Sequence, residues 1–339
     1  MKIGAFVNNK IILPIINIIL FVKKGSWREH KIKILVSGLI TIPLKKIRNI
    51  RRKRGFVENQ YDQIAGLYIK DNYYEGRERF SVVDSEIKFI NSITNAQKIR
   101  KEINNVLSEY QFKSVLEIGV GELTSLEAIY HEFGPDIDCY GIDLSFNRVY
   151  HGLVEYKKRH QRIPQIAKAD ATMLPFPDNS FDLVYTRHTL EQMPTVFEKA
   201  MDEIFRVTKK NIVLFEPSFE LGSFTQKIKM INSDYVRGIP AFLKKKVDVH
   251  LNDVYLMKNS ANPLNHTACF KINVDKNGEN NKLTKKTIDF VCPFTRNNLV
   301  EKDGYLFSPK ANRAFSIIEG IPNLDPEYSI LLTEPKSYD

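Results

Sequence analysis

Val115-Leu116-Glu117-Ile118-Gly119-Val120-Gly121 is a short apolar run that breaks into two glycines, and its reading decides the fold. Such a run predicts a buried strand followed at once by a sharp turn, because glycine adopts the positive-φ conformations that a closely approached turn demands. The next segment carries Leu126, Ile129, Tyr130 and Phe133 at helical spacing and stops at Gly134-Pro135. Upstream, Ile99, Ile103, Val106, Leu107 and Tyr110 mark a helix over Thr94 to Tyr110, with Thr94 or Asn95 as its N-cap. Short apolar runs recur downstream with helical stretches between them: Cys139 to Ile142, Ile166 to Ala169, Phe181 to Tyr185 and Ile212 to Phe215. Asp253 to Met257 and Thr267 to Val274 read as two further strands. This alternation predicts an α/β fold, a doubly wound, Rossmann-like, seven-stranded and mostly parallel sheet covered on both faces.

Open sheets of this kind bind ligands beyond the carboxyl ends of their strands, where strand order reverses. Gly119 and Gly121 follow the first strand, Asp143 closes the second and Asp170 the third. Asp143 is placed to accept hydrogen bonds from two ribose hydroxyls, and Asp170 from an adenine amino group. A single aspartate after a strand is more often a helix N-cap. Four positions falling in order outweigh that reading. A nicotinamide dinucleotide is the competing ligand, but its fingerprint asks for Gly or Ala where this chain has Thr124. Glu117 and Glu122 would also repel a pyrophosphate and attract a ligand bearing an ammonium and a sulfonium. The sign of charge therefore favours S-adenosylmethionine.

Residues 57–276 resemble the small-molecule branch of the class I S-adenosylmethionine-dependent methyltransferases. The stretch 115–121 resembles the family's first motif, and Tyr140-Gly141-Ile142-Asp143-Leu144-Ser145 the second. Asp170-Ala171, Leu174-Pro175-Phe176, Phe181-Asp182-Leu183-Val184 and His188-Thr189-Leu190-Glu191 resemble the third and fourth. Tyr61-Asp62-Gln63-Ile64-Ala65 is similar to the helix that lids the cofactor. The resemblance implies that Glu117, Gly119 and Gly121 line the methionine end, that Asp143 and Leu144 hold the ribose, and that Asp170 and Ala171 hold the adenine. Leu123 departs from the motif's third glycine.

Methyl transfer from a sulfonium is an in-line displacement, and positioning alone can contribute roughly 7–11 kcal/mol, so no catalytic residue is obligatory. For a hydroxyl or amine acceptor a base helps, and His188, Glu191 and Glu216 fall near strand ends where one is useful. A packed structural histidine is the competing reading of His188. Asn262, Asn265 and His266, between the last two strands, are substrate candidates. Phe215-Glu216-Pro217-Ser218 lacks the Asn-Pro-Pro-Tyr signature of enzymes that methylate planar amino groups, which counts against N6-adenine chemistry.

Charge divides the chain. Residues 1–54 hold fourteen Lys and Arg against Glu29, so this arm carries +13 of a net +10 and the remainder is −3. Its apolar runs, Ile11 to Val22 and Ile34 to Leu44, are too short to span a bilayer, and Lys23-Lys24-Gly25-Ser26-Trp27 offers no signal-peptide cleavage site. An arm (residues 1–56) lying at an anionic membrane surface is the better fit, against a helical cap or a nucleic-acid grip. Aliphatic residues, rather than aromatic ones, are interleaved with its charges, which disfavours RNA. Three cysteines without a CxxC pair indicate a reducing compartment and no cysteine-built zinc site.

The polar stretch 277–286 reads as a linker. Residues 287–334, from Cys292-Pro293 to Ala314-Phe315-Ser316-Ile317-Ile318-Glu319-Gly320-Ile321-Pro322, resemble the small Trm112-like β-domain. Thr295 and Ser308 stand where zinc-binding members carry further cysteines, so a packing module without metal is expected. The expected enzyme is cytoplasmic, peripheral to the inner face of the membrane, and methylates a small or lipid- or saccharide-linked acceptor at O or N. An RNA or protein methyltransferase and a catalytically inactive cofactor-binding partner subunit are the alternatives. The oligomeric state stays open.

Overall fold

The computed structural model describes residues 25–48, 53–276 and 287–332. The run Ile11 to Val22 and the linker 277–286 lie outside the described residues. Helix α1 (Trp27–Arg48) is followed by α2 (Arg54–Gln63), a hairpin of β1 (Glu78–Val83) and β2 (Glu86–Asn91), and α3 (Ser92–Leu107). α3 starts earlier than its apolar spacing indicates. Its N-cap is Asn91, whose side chain accepts from the Ile93 N–H at 2.9 Å, so neither Thr94 nor Asn95 caps it.

The main sheet then alternates with helices: β3 (Ser114–Ile118), α4 (Thr124–Phe133), β4 (Asp138–Asp143), α5 (Phe146–Arg159), β5 (Gln165–Lys168), β6 (Phe181–Arg187), α6 (Phe197–Val207) and β7 (Thr208–Pro217). After α7 (Phe224–Ser233) come β8 (Val249–Leu256) and β9 (Thr267–Val274). The seven strands lie in the order β5-β4-β3-β6-β7-β9-β8. The first five are parallel, and β9 pairs antiparallel with both β7 and β8.

Alternation along each strand builds two cores. Leu116, Ile118, Val184 and Leu214 point to the face covered by Ala200, Met201 and Ile204 of α6. Val115, Leu183, Tyr185 and Val213 point to the other face, where Ile103 of α3, Leu126 of α4 and Val149 of α5 cover them. Of the basic arm, α1 rests on α7, where Asn232 Nδ2 donates to Ser37 Oγ at 3.2 Å. Among the described residues, no helix is long and apolar enough to cross a membrane.

The C-terminal segment forms a small antiparallel sheet of β10 (Val300–Lys302), β11 (Tyr305–Ser308), β12 (Arg313–Ile318), β13 (Ile321–Pro322) and β14 (Ile330–Leu331). It closes the β5 edge of the main sheet: Lys168 bridges Asn323, and the Leu324 N–H donates to the Lys168 carbonyl at 2.8 Å. Cys292, Phe315 and Leu324 complete that contact as an apolar cluster around Ala167. Burial raises the Cys292 thiol's pKa, but hydrogen bonding by the Ser308 and Thr295 side chains and by the Thr295 and Phe294 backbone outweighs it and leaves the value below the usual one.

Candidate active site

The strand order turns back between β3 and β6, and a cavity of 840 Å³ opens there, beyond the carboxyl ends of β3, β4 and β6. The turn after β3 is held from below, with the N–H groups of Gly119 and Val120 both donating to the Ile142 carbonyl, at 2.8 and 2.9 Å. Gly119 has φ +76°, and a Cβ there would fall 2.0 Å from Thr189 Oγ1, so the turn requires glycine. Leu123 has φ 61° at the start of α4. The absent third glycine therefore leaves a left-handed conformation in place, carried by a leucine.

Each predicted cofactor residue can now be placed. Asp143 lies on the cavity wall and organises it: Oδ2 accepts from the Gly121 N–H and Oδ1 from the Ser145 N–H, each at 2.8 Å. Gly121 itself does not line the cavity. Glu117 does, buried, with its carboxyl accepting from the Tyr185 hydroxyl at 2.6 Å. Burial pushes Glu117 up to about 8. Leu144, Asp170 and Ala171 line the cavity as well. Asp170 Oδ1 accepts from the Thr172 N–H at 2.7 Å, and Oδ2 accepts from Arg54 Nε at 2.8 Å.

Of the two glutamates expected to set the sign of charge here, Glu117 alone lines the cavity. Glu122 does not face the cavity; its carboxylate takes the N–H groups of Gly66 and Ile69, at 3.1 and 2.7 Å, and ties down the turn after α2. Two guanidinium groups that the sequence reading missed line the same cavity. Arg148 lies between the rings of Tyr61 and Tyr68, 5.0 and 4.8 Å from their centroids, and 3.9 Å from Asp143. Arg187 donates to Ser125 Oγ at 2.9 Å, and its burial lowers its pKa. Carboxylates and guanidinium groups therefore share this cavity wall, a pattern for a zwitterion rather than a simple cation. Arg187 closes a strand and was findable; Arg148, in the first turn of α5, gave no signal.

His188, with φ +51°, projects into the cavity from the turn after β6. Its Nδ1 lies 3.1 Å from Glu191 Oε2 and its Nε2 2.8 Å from Thr267 Oγ1. Glu191 also accepts from Asn265 Nδ2 at 2.9 Å and from Gln192 Nε2 at 2.7 Å. Burial opposes charge on His188, but Glu191 and Glu216 outweigh it and hold its pKa above the usual imidazole value. Glu216 does not reach the cavity. It lies fully buried beneath the turn, accepting from Thr186 Oγ1 at 2.7 Å and from the N–H groups of Thr189, Leu190 and Glu191 at 2.9, 3.1 and 3.2 Å. It shapes the turn that presents His188. Asn262 and Asn265 line the cavity. His266 turns away, bonded to the Met257 carbonyl at 2.7 Å.

A family described as a methyltransferase domain matches residues 116–215, the span from β3 to β7 that builds these walls. Demethylmenaquinone methyltransferase of Geobacillus stearothermophilus is 31% identical over 112 residues, 33% of this chain and 47% of that protein. The protein of the same name from Geobacillus kaustophilus is 28% identical over 133 residues, 38% of this chain and 56% of that one. The chain thus spans about half the length of the curated relatives it matches. Among solved structures, magnesium protoporphyrin IX methyltransferase from Synechocystis PCC 6803 with bound SAM aligns at a TM-score of 0.48 and 11% identity, over 66% of this chain and 97% of that one.

The S-adenosylmethionine expected from the sequence carries an amino group, a carboxylate and ribose hydroxyls. The residues present fit it. Glu117 and Asp143 offer acceptors for an amino group and hydroxyls, Arg148 and Arg187 offer donors for a carboxylate, and aromatic and apolar groups complete the wall. Arg148 Nε, Gln192 Oε1 and Asn265 Oδ1 are buried on this wall without a hydrogen-bond partner, as expected where a polar ligand completes the set.

Proposed function

We propose that this protein is an S-adenosylmethionine-dependent methyltransferase acting at oxygen or nitrogen of a small or lipid-linked acceptor. The observation that carries the proposal is the His188–Glu191–Asn265 cluster, which shares one cavity with Glu117, Asp143 and Asp170. When bound, S-adenosylmethionine supplies an electrophilic methyl group on a sulfonium. The chain's own residues do the rest. Glu117, Arg148 and Arg187 bind the charged methionine end, Asp143 and Leu144 the ribose, and Asp170 with Ala171 the adenine. His188 accepts the proton lost by the acceptor, and Glu191, fixed by Asn265 and Gln192, stabilises the imidazolium so formed. Asn262 and Asn265 orient the acceptor.

A lipid-linked acceptor is supported by the rim. Leu67 and Tyr68, 44% and 42% exposed, line the mouth. The relatives are named for demethylmenaquinone. The basic arm would hold the mouth against an anionic membrane on its cytoplasmic side. Residues 57–276 would be the catalytic unit and 287–334 a Trm112-like packing module without metal.

Transfer of a labelled methyl group to demethylated quinone and saccharide-lipid acceptors tests the activity; no transfer to any acceptor would leave a cofactor-binding partner subunit. S-adenosylhomocysteine titration of Asp143→Ala tests the ribose contact, and unchanged affinity would refute it. Co-sedimentation of the full-length and arm-deleted protein with anionic liposomes and with RNA tests the arm. Tight RNA binding without lipid preference would favour a polymer acceptor.

A further inference from the structure

Asp325 of the C-terminal unit is fully buried, 0% exposed, between two cations of the main domain. One is Arg54, the first residue of α2, which pairs with Asp325 and Glu327 on one side and with Asp170 at 2.8 Å on the other. The other is Lys168 on β5, 3% exposed, whose Nζ lies 3.0 Å from Asp325, 2.6 Å from Glu58 and 2.9 Å from the Leu144 carbonyl. Tyr328 closes this cluster, its hydroxyl donating to Glu58 at 3.0 Å and its ring 4.3 Å from the lysine ammonium. Asp170, Glu58 and Leu144 all line the cofactor cavity. Both cations held by the C-terminal unit therefore reach back to the cavity wall.

We infer that the C-terminal unit is a working part of the cofactor site. Asp325 fixes Arg54, and Arg54 acts as a positioning residue that sets the Asp170 carboxylate at the adenine end. Both Asp170 oxygens have a protein donor, one on the Thr172 N–H and one on Arg54 Nε. The direction of its remaining lone pairs therefore depends on where Arg54 is held. Without Asp325, the guanidinium keeps Glu327 and Glu58 on its Nη1 side only, and its Nη2 can swing onto Asp170, closing bidentately and occupying those lone pairs. Buried ion networks of this kind act as a unit, so loss of one member is felt by its neighbours. This inference rests on the assignment of Asp170 to the adenine.

The test is calorimetric titration of the full chain with two probes, S-adenosylhomocysteine and S-inosylhomocysteine, which lacks the purine amino group. Asp325→Asn is expected to weaken S-adenosylhomocysteine about tenfold, in the range usual for coupled sites, while S-inosylhomocysteine changes less than twofold. A merely structural contact would weaken both probes alike, and that result overturns the inference. Arg54→Gln, at a partly exposed side chain, tests the same link if Asp325→Asn fails to fold, and the double variant is expected to be no worse than the worse single one. Unchanged S-adenosylhomocysteine affinity in Arg54→Gln overturns the inference as well. If the wild-type chain binds S-adenosylhomocysteine but does not discriminate it from the inosyl probe, the adenine assignment fails first, a result distinct from failure of the tail's role.

Discussion

The Tyr185 hydroxyl donates to the Glu117 carboxyl at 2.6 Å, and Glu117 lines the cavity together with Arg187. With its pKa raised by burial to about 8, Glu117 is largely protonated at neutral pH before a ligand arrives. An incoming ammonium group favours the carboxylate. Binding of S-adenosylhomocysteine at pH 7 should therefore release a proton, and affinity should rise with pH up to about 8 and then level off. Calorimetry in buffers of different ionisation enthalpy checks this; no proton release at pH 7 contradicts it. The cost of ionising buried Glu117 is absent below the ordinary carboxyl range and complete above pH 8, so Glu117→Gln should raise the melting temperature at pH 8 while weakening the ligand.

His188→Asn should lower kcat by about 10²–10⁴, the usual contribution of a positioned base, and leave S-adenosylhomocysteine affinity within about twofold. Its pKa is raised, burial being outweighed by Glu191 and Glu216, so activity should fall as pH drops through a value above that of free imidazole. Glu191→Gln should move that limb to lower pH. A limb that stays in place in Glu191→Gln would remove Glu191 from its proposed role.

Leu123→Gly sets two effects against each other. Relief of the left-handed conformation is worth roughly 1–2 kcal/mol. Loss of a leucine side chain that is buried here costs about 2–5 kcal/mol. The second is larger, so the glycine variant should be less stable than the wild type in chemical denaturation, although it restores the motif's residue.

Glu122→Ala leaves the N–H groups of Gly66 and Ile69 without their acceptor. An unsatisfied buried group costs about 1–3 kcal/mol. Amide exchange should speed up over residues 61–74 before it does so in β3, and equal exchange in wild type and variant would show that Glu122 does not hold this segment.

The strands β3, β4, β6 and β7 were legible because parallel strands buried on both faces carry continuous apolar runs, closed in β3 by Gly119 and in β4 by Asp143. The β1–β2 hairpin was not. Its turn uses Asp84 and Ser85, both at positive φ, where Asn-Gly would have announced it. The cap of α3 was misplaced because Asn91 precedes a polar first turn that carries no apolar period. Asp143 and Glu117, at strand ends, line the cavity as their positions indicate, whereas Glu122 and Glu216 do not, since a glutamate's side chain is long enough to turn under a neighbouring loop.

By itself the sequence determined the sheet, its switch point and the identity of the groups that close each strand, because periodicity and turn chemistry are local properties. Tertiary structure alone decided where those groups point. It put Arg148 between two tyrosines of a distant helix and turn, withdrew Glu122 and Glu216 from the cavity, and brought Asp325 to Arg54 and Lys168. Contacts across such sequence separations depend on which elements pack together, and no local pattern of residues encodes that.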